Sequence, residues 1–292
     1  MPELPEVETV RRGLVDLLIG ASVESVSFDW PKGFPNSPND VNAFLLGSRI
    51  TAVRRRAKVL MIDLSTDYSL VIHLKMTGQL VFVGHSTGDR FGAGHPNDSL
   101  VGELPDKSTR VELTLDRGVL YFNDQRKFGW MKLLPTNQIE NLSFFQSVGP
   151  EPLDPVFSKN TFRSRFARKQ NSQIKAALLD QKVLAGVGNI YADESLWDAG
   201  IHPASRIHEL TNEQLDTLFF ALQDILQKAI QSGGSTDRNY VDATGKKGSY
   251  LKIARVFRRD GEPCFRCGSI IIKTRVAGRG THICSTCQRL TL

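Results

Sequence analysis

The sequence predicts an α+β protein in which an N-terminal helix leads into a β-rich segment, followed by a helical segment and a small cysteine-containing module. Three observations support this order. Apolar residues recur every three or four positions at the start of the chain, then largely every second position up to about residue 134, and again with helical spacing beyond residue 155. Residues 150–155 contain three prolines. All four cysteines lie between residues 264 and 287.

The charge distribution favours a polyanionic partner. The chain carries a net charge of +6 with a pI near 9.2. Residues 246–292 contain eleven Lys or Arg and two acidic residues, so this tail carries +9 and the remainder −3. No apolar run approaches the roughly 20 residues of a membrane-spanning helix, and the acidic, proline-interrupted N-terminus does not resemble a signal peptide. We therefore expect a cytoplasmic protein without membrane contact.

The first predicted element is an amphipathic helix from Pro5 to Leu18, with Gly20 just past its end. The β-rich segment follows, from about residue 21 to residue 134. Its clearest predicted strands are Val59–Leu64, Leu70–Leu74, Leu80–Val83, Val111–Leu115 and Val119–Phe122. Residues 84–108 are rich in glycine and polar residues and have no periodicity, so we expect a long loop there.

Beyond the prolines, which prevent both helix continuation and sheet pairing, the pattern is helical. Helices are predicted over residues 160–168, 173–180, 189–199 and 211–231. The second and third are joined by residues 181–188, in which Gly186 and Gly188 allow close backbone approach. We interpret this segment as a helix-two-turns-helix element.

The cysteines have the spacing of a zinc site. Cys264 and Cys267 form one Cys-x2-Cys pair, and Cys284 and Cys287 form a second after 16 intervening residues. Two such pairs suit one tetrahedral four-cysteine zinc ion, which would be structural because no coordination position stays open. A redox dithiol and disulfides are the alternatives.

The residues between the two cysteine pairs predict a β-hairpin with Arg279 at its tip. Glycines flank Arg279, so its guanidinium can reach a phosphate, and a solvated surface arginine is the alternative interpretation. Asn189 begins a predicted helix. It suits an N-cap, and the free amides of a helix N-terminus also bind phosphate.

The N-terminus offers a possible nucleophile. Removal of Met1 would expose the secondary amine of Pro2, which is partly unprotonated near neutral pH and can form a Schiff base with a sugar carbon. Glu3 could act as a general acid beside it. From this segment alone, a helix start with acidic residues favoured by the helix dipole is the simpler interpretation.

Several motifs together resemble the formamidopyrimidine-DNA glycosylase family. The N-terminal residues read MPELPEVETV followed by RRG, and the other matches run along the chain in the family's order. They are RRAK at 55–58, HLKMTG at 73–78, NDQRKFG at 123–129, GPEPL at 149–153, GVGNIYADE at 186–194, and the four cysteines.

The resemblance implies a role for each matching residue. Pro2 would attack C1′ of the damaged nucleoside, Glu3 would be the acid and base, Lys58 would assist β-elimination, and Arg279 would bind phosphate and support δ-elimination. Other side chains would contact DNA, and among them Met76, Arg126 and Phe128 would fill the space left by a flipped nucleotide. The residues expected to contact DNA are Met76, Arg126, Phe128, Asn189 and Glu6.

The resemblance also implies an architecture and a reaction. We expect a two-layer β-sandwich domain over residues 1–134, a linker over 135–155, a helix-two-turns-helix DNA-binding domain over 156–245 and a zinc finger over 246–292. The expected activity is excision of oxidised purines, 8-oxoguanine and formamidopyrimidines, from duplex DNA, with strand cleavage by β,δ-elimination. We expect a monomer that acts at the nucleoid.

Two rival interpretations remain. The endonuclease VIII branch of the same superfamily prefers oxidised pyrimidines, but Leu4 stands where that branch typically has glycine. A non-catalytic zinc-finger protein that binds DNA would need the basic tail and the helical segment but neither Pro2 nor Lys58.

Overall fold

The structure is a computed structural model that describes residues 2–86, 90–95, 97–235 and 250–290. It divides into two compact units. The first comprises Met1–Gln146 with Ser232–Tyr250, and the second comprises Ser147–Gln231 with Leu251–Leu292. Lys246 and Lys247 of the basic tail lie outside the described residues.

The first unit begins with helix α1, Leu4–Leu18, and continues as two antiparallel sheets. Its strands are β1 (Val23–Phe28), β2 (Ile50–Arg56), β3 (Val59–Leu64), β4 (Tyr68–His73), β5 (Gly78–Gly84), β6 (Arg90–Gly94), β7 (Thr109–Leu115), β8 (Gly118–Asp124) and β9 (Trp130–Pro135). One sheet has the order β1-β7-β8-β5-β6 and the other β2-β3-β4-β9. The shorter helices are α2 (Pro38–Asp40), a π-helix (Val41–Leu45), two 3-10 helices (Asp98–Leu100 and Thr136–Asn141) and α3 (Ser143–Ser147).

The main core of this unit lies between the two sheets. Leu60 and Ile72 from the four-stranded sheet belong to one buried cluster with Phe82 and Phe122 from the five-stranded sheet, and α1 contributes Leu14. Burial of these apolar side chains from both faces is the main source of stability for a sandwich. The predicted helix followed by a two-layer sandwich is thus confirmed.

The prediction of a single long loop over residues 84–108 is wrong. Strand β6 lies within this range and pairs with β5, with Phe91 opposite Phe82. Phe91 also packs against α1 at Gly13, where a Cβ atom would lie 2.0 Å from the Phe91 ring. Two of the five residues of β6 are glycines, so the strand has almost no apolar alternation that a sequence pattern could reveal.

Part of the predicted linker is folded into the first unit. Residues 136–146 belong to this unit and form a 3-10 helix and all but the last residue of α3. Ile139 and Phe145 from this stretch join a buried cluster with Met61 of β3 and Val71 of β4.

The second unit is helical and ends in a hairpin. Its helices are α4 (Lys159–Ala167), α5 (Ile174–Leu179), α6 (Asn189–Asp198), a 3-10 helix (Ile207–Glu209) and α7 (Asn212–Gln231), and α8 follows at Tyr250–Ile253. The hairpin consists of β10 (Ile272–Val276) and β11 (Arg279–Ile283). Among the described residues, no helix has both the length and the apolar composition that crossing a bilayer requires.

Gln181 organises the connection between α5 and α6. Its side-chain amide donates to the carbonyl of Val187 at 2.8 Å, and its Oε1 accepts from the backbone N–H of Gly186 at 2.9 Å. Gly186 has a φ of +78°, a conformation that favours glycine. The Gln181 side chain therefore holds the turn at Gly186 and Val187 that precedes α6.

Candidate functional site

The N-terminal end of α1 is buried and tightly bonded. Pro2 is buried and Glu3, the N-cap residue, is 3% exposed. The backbone N–H of Glu3 donates to Oε2 of Glu6 at 2.8 Å, and the N–H of Ser235 donates to Oε1 of the same carboxylate at 2.7 Å. Glu6 thus fixes the backbone beside Pro2 and the chain that follows α7. Its assignment to the DNA interface stays a prediction.

Lys58 lies in the tight turn between β2 and β3. It is 6% exposed and follows Ala57, which has a φ of +53°. Arg55 donates to the carbonyl of Ala57 at 2.9 Å through Nη1 and to the Glu8 carboxylate at 3.1 Å through Nε. Because Glu8 belongs to α1, this chain of contacts connects the helix that carries Pro2 and Glu3 to the turn that carries Lys58.

The pKa of Glu8 provides a test of the ion-pair cluster around its carboxylate. Burial alone would raise the pKa, but hydrogen bonds from Arg11 and Arg12, with the nearby charge of Arg11 and a further bond from Arg55, outweigh it and hold the pKa at about 2 instead of 4.5. A lowered pKa stabilises the folded state above the unfolded pKa, and this stabilisation is lost as the pH falls towards 2. Lowering the pH from near 7 to near 3 should reduce the free energy of unfolding of both the unmodified protein and Glu8→Gln. We expect the reduction to be about 2 kcal/mol larger in the unmodified protein.

Urea unfolding at the two pH values measures this difference. Glu24→Gln, a change of an exposed carboxylate on β1, is the matched control and should keep the pH dependence of the unmodified protein. An equal pH dependence in Glu8→Gln would contradict the assigned ion-pair cluster.

Three loops lie at the same end of the sandwich. In the four-stranded sheet Val59, the first residue after Lys58, pairs with His73, and His73 pairs with Trp130. One end of these strands therefore carries three loops, which are the Lys58 turn, residues 74–77 and residues 125–129. His73 stays neutral there, because burial and the positive charges of Lys75 and Lys58 lower its pKa to about 3.

Residues of the second and third loops present apolar side chains to solvent. Met76 is 37% exposed and Phe128 is 52% exposed. The guanidinium carbon of Arg126 lies 4.7 Å from the centroid of the Phe128 ring. An exposed aromatic ring with a stacked cation is suited to contact nucleic-acid bases.

The second unit brings the four cysteines together. All four Sγ atoms lie within 4.8 Å of one another, with 3.9 Å between Cys264 and Cys287 and 3.4 Å between Cys267 and Cys284. Zinc–sulfur bonds of 2.3 Å in a tetrahedron separate the sulfur atoms by about 3.8 Å, whereas a disulfide bond is about 2.05 Å long. The donor set and its spacing fit one structural zinc ion, and all four cysteines are free of disulfides.

Arg279 and Asn189 are brought together by the hairpin. The turn residues are Ala277 and Gly278, both with positive φ, so Arg279 begins β11 beside the tip instead of occupying it. Asn189 is the first residue of α6 and not its N-cap, which is Gly188. The expected cap is wrong because the Asn189 amide instead donates to the carbonyl of Gly280 at 3.0 Å. This bond joins the N-terminus of α6 to the strand that carries Arg279.

A buried ion pair that the sequence did not reveal supports the same strand. Lys175 of α5 and Asp193 of α6 are both fully buried, with Nζ 2.6 Å from Oδ1. Lys175 also donates to Thr281 Oγ1 at 2.7 Å, and Asp193 accepts from the backbone N–H of His282 at 3.0 Å. A lysine next to Ile174 in a short helix looks solvent-facing by pattern, and only the packing of the hairpin on α5 and α6 shows otherwise.

These features define the class of protein. A β-sandwich unit that begins with a buried proline and glutamate, together with a helix-two-turns-helix element joined to a zinc hairpin, is the architecture of DNA glycosylases that repair oxidised bases. Family models agree with this assignment. The formamidopyrimidine-DNA glycosylase N-terminal domain matches residues 1–131, the H2TH domain of the same glycosylase matches residues 148–240, and the zinc finger found in FPG and IleRS matches residues 261–290.

Whole-length relatives lead to the same family. The chain is 40% identical to the formamidopyrimidine-DNA glycosylase of Enterococcus faecalis, with 99% of this chain and 98% of that protein covered. It is 41% identical to the Chloroflexus aurantiacus enzyme of that name, with 99% and 98% covered. The Lactococcus lactis enzyme bound to DNA with an AP site has a TM-score of 0.83 at 33% identity, over 98% of this chain and 99% of that chain. The chain belongs to the formamidopyrimidine-DNA glycosylase family.

Proposed function

We propose that this protein removes oxidised purines from duplex DNA and then cleaves the strand, with Pro2 as the nucleophile. The observation that carries the proposal is the connection from α1 through Glu8 and Arg55 to the Lys58 turn. It joins the element that carries Pro2 and Glu3 to the only lysine of that turn. Solved relatives were bound to DNA containing carbocyclic 8-oxo-G or N7-benzyl-Fapy-dG, which supports oxidised purines as the substrate class.

The first chemical step forms a covalent bond to the sugar. After removal of Met1, the Pro2 nitrogen attacks C1′ of the damaged nucleoside, and the glycosidic bond breaks with its electron pair leaving on the base. The proton lost from the Pro2 nitrogen passes to the departing base. Glu3 donates a proton to the sugar ring oxygen, so the ring opens and a Schiff base forms between Pro2 and C1′. Because a proline nitrogen carries no second hydrogen, the Schiff base is a permanent cation.

The cationic Schiff base then makes strand cleavage possible. It acidifies the C2′ proton, whose loss expels the 3′ phosphate in the β-elimination, and a second elimination expels the 5′ phosphate. Lys58 lies at the phosphate beside the lesion and assists the first elimination. Arg279, fixed beside Asn189, binds phosphate and supports the second.

The exposed side chains of the sandwich edge serve base flipping. Extruding a nucleotide costs a few kcal/mol, which Met76 and Phe128 offset by filling the vacated space while Arg126 faces the orphan base. We propose that residues 1–134 form the catalytic β-sandwich domain and residues 135–155 the linker. Residues 156–245 would form the helix-two-turns-helix DNA-binding domain and residues 246–292 the zinc finger. The enzyme acts as a monomer, in the cytoplasm at the nucleoid.

Borohydride trapping tests this function. The purified protein is incubated with a duplex containing 8-oxoguanine opposite cytosine, and the Schiff base is reduced. We expect a covalent protein–DNA adduct whose linkage maps to the Pro2 peptide. A duplex with undamaged guanine is the control and should give no adduct. A protein that binds the damaged duplex without forming an adduct would support the non-catalytic alternative, and an adduct formed only with an oxidised pyrimidine would support the endonuclease VIII alternative.

A further inference from the structure

One buried carboxylate lies at the centre of the two loops that carry the exposed side chains. Asp124, the last residue of β8, is 1% exposed. Its Oδ2 accepts from the backbone N–H groups of Phe128 and Gly129, each at 2.7 Å. Its Oδ1 accepts from the hydroxyl of Thr77 and from the N–H of Arg126, the latter at 3.2 Å.

Thr77 extends this cluster to the Met76 loop. Its hydroxyl donates to Asp124 and accepts from the N–H of Arg126 at 3.0 Å. Because Thr77 directly follows Met76, the same carboxylate holds both loops. Gly78 and Asp124 are also paired across β5 and β8, so the two loops leave the five-stranded sheet from adjacent positions.

The hydrogen bonds accepted by the Asp124 carboxylate fix the backbone of the loop that follows β8. Both oxygens of the Asp124 carboxylate accept hydrogen bonds, and among the described residues these come from backbone N–H groups and one hydroxyl instead of from charged side chains. Such bonds from several N–H groups to a carboxylate are stronger than bonds between neutral groups. They also hold Lys127 at a φ of +56°, a conformation that a non-glycine residue adopts only where its surroundings impose it.

We propose that Asp124 is a positioning residue that holds Met76, Arg126 and Phe128 in one fixed arrangement before DNA binds. This inference rests on the proposed function, because it concerns the insertion of those side chains into a duplex. Side chains that are already ordered lose less conformational entropy on binding. Asp124 therefore lowers the cost of opening the duplex and does not contact the reacting sugar.

Asp124→Asn tests the proposal, because the substitution keeps the shape but places an NH2 group where one carboxylate oxygen accepts. Two rates are compared. One is single-turnover excision of 8-oxoguanine from a duplex, which requires insertion into the base stack. The other is borohydride trapping on a single-stranded oligonucleotide with a preformed AP site, which has no stack to open and no orphan base. We expect the ratio of the duplex rate to the single-strand rate to fall by about tenfold, the effect of losing one or two charge-assisted hydrogen bonds.

Two further variants keep the test decisive. Thr77→Val preserves the size of the side chain and removes only the hydroxyl relay, so the same ratio should fall by about threefold, in line with one lost neutral hydrogen bond. Asp116→Asn changes a half-exposed carboxylate in the turn at the other end of β8 and should leave the ratio unchanged.

The outcomes separate the two proposals. If the ratio of the duplex rate to the single-strand rate is unchanged in both Asp124→Asn and Thr77→Val, the positioning role is wrong. This includes the case in which a variant loses the same fraction of its rate on both substrates. If the unmodified protein forms no adduct on either substrate, the proposed function fails instead.

Discussion

Replacing Pro2 with glycine is expected to lower formation of the nicked product from an 8-oxoguanine duplex by more than about 100-fold, the scale associated with loss of a covalent nucleophile. Glycine offers a primary amine, whose Schiff base must gain a proton before it becomes the cation that drives elimination. It also lacks the ring that restricts the backbone at a buried position. Affinity for undamaged DNA should change little, because the proposed role of Pro2 is attack on the sugar and not contact with a phosphate.

Single-turnover nicking assays and mass spectrometry of the N-terminus make this test complete. The mass spectrum establishes that Met1 has been removed from both proteins, so that the same position carries the amine. Pro31→Gly, at an exposed proline of the first unit, is the matched control and should nick at the rate of the unmodified protein. Nicking by Pro2→Gly at that same rate would refute the assignment of the nucleophile.

Cys267→Ser is expected to abolish stoichiometric zinc binding and to weaken DNA binding by about tenfold or more, because loss of the proposed charge-assisted contact between Arg279 and a phosphate costs at least that much. The hairpin has little core of its own. The buried cluster around the cysteines consists of Trp197 of α6 with Val256, Ile271, Cys264 and Cys284, so two of the five members are themselves metal ligands. Without the ion, the strand that carries Arg279 loses its fixed position beside Asn189.

Zinc content by atomic emission and duplex affinity by fluorescence anisotropy measure both effects. Ser285→Ala changes an exposed residue between the two cysteines of the second pair and should retain one zinc ion and full affinity. Chelation of the unmodified protein should reproduce the loss, and added zinc should reverse it. A zinc-free protein with unchanged affinity would rule out the role of the hairpin in DNA binding.

The buried polar network around Lys175 shows how the two halves of the second unit depend on each other. The Lys175–Asp193 pair is fully buried and contacts Thr281 and His282 of the hairpin. Removal of one partner from such a pair is costly because the other charge stays buried without compensation. The helix-two-turns-helix element and the zinc hairpin therefore form one structural unit, in agreement with the division of the chain into two units.

The sequence by itself determined the class of fold, the zinc ligands and the family. These features depend on local patterns: helical or strand periodicity, the spacing of two Cys-x2-Cys pairs, and runs of consecutive residues such as those at 123–129 and 186–194. Each pattern spans only a few neighbouring positions, so it is recognisable in the sequence without knowledge of what packs against it.

Tertiary structure alone decided which polar residues are buried and what they hold in place. Strand β6 is recognisable only from its pairing with β5 and from the packing of Phe91 against Gly13. Asp124 and Lys175 resemble solvated residues in sequence, because the groups that satisfy them lie far away along the chain or become available only when a loop closes. Burial makes an unsatisfied charge costly, and the burial of a charged residue is a property of the folded molecule that apolar periodicity does not encode.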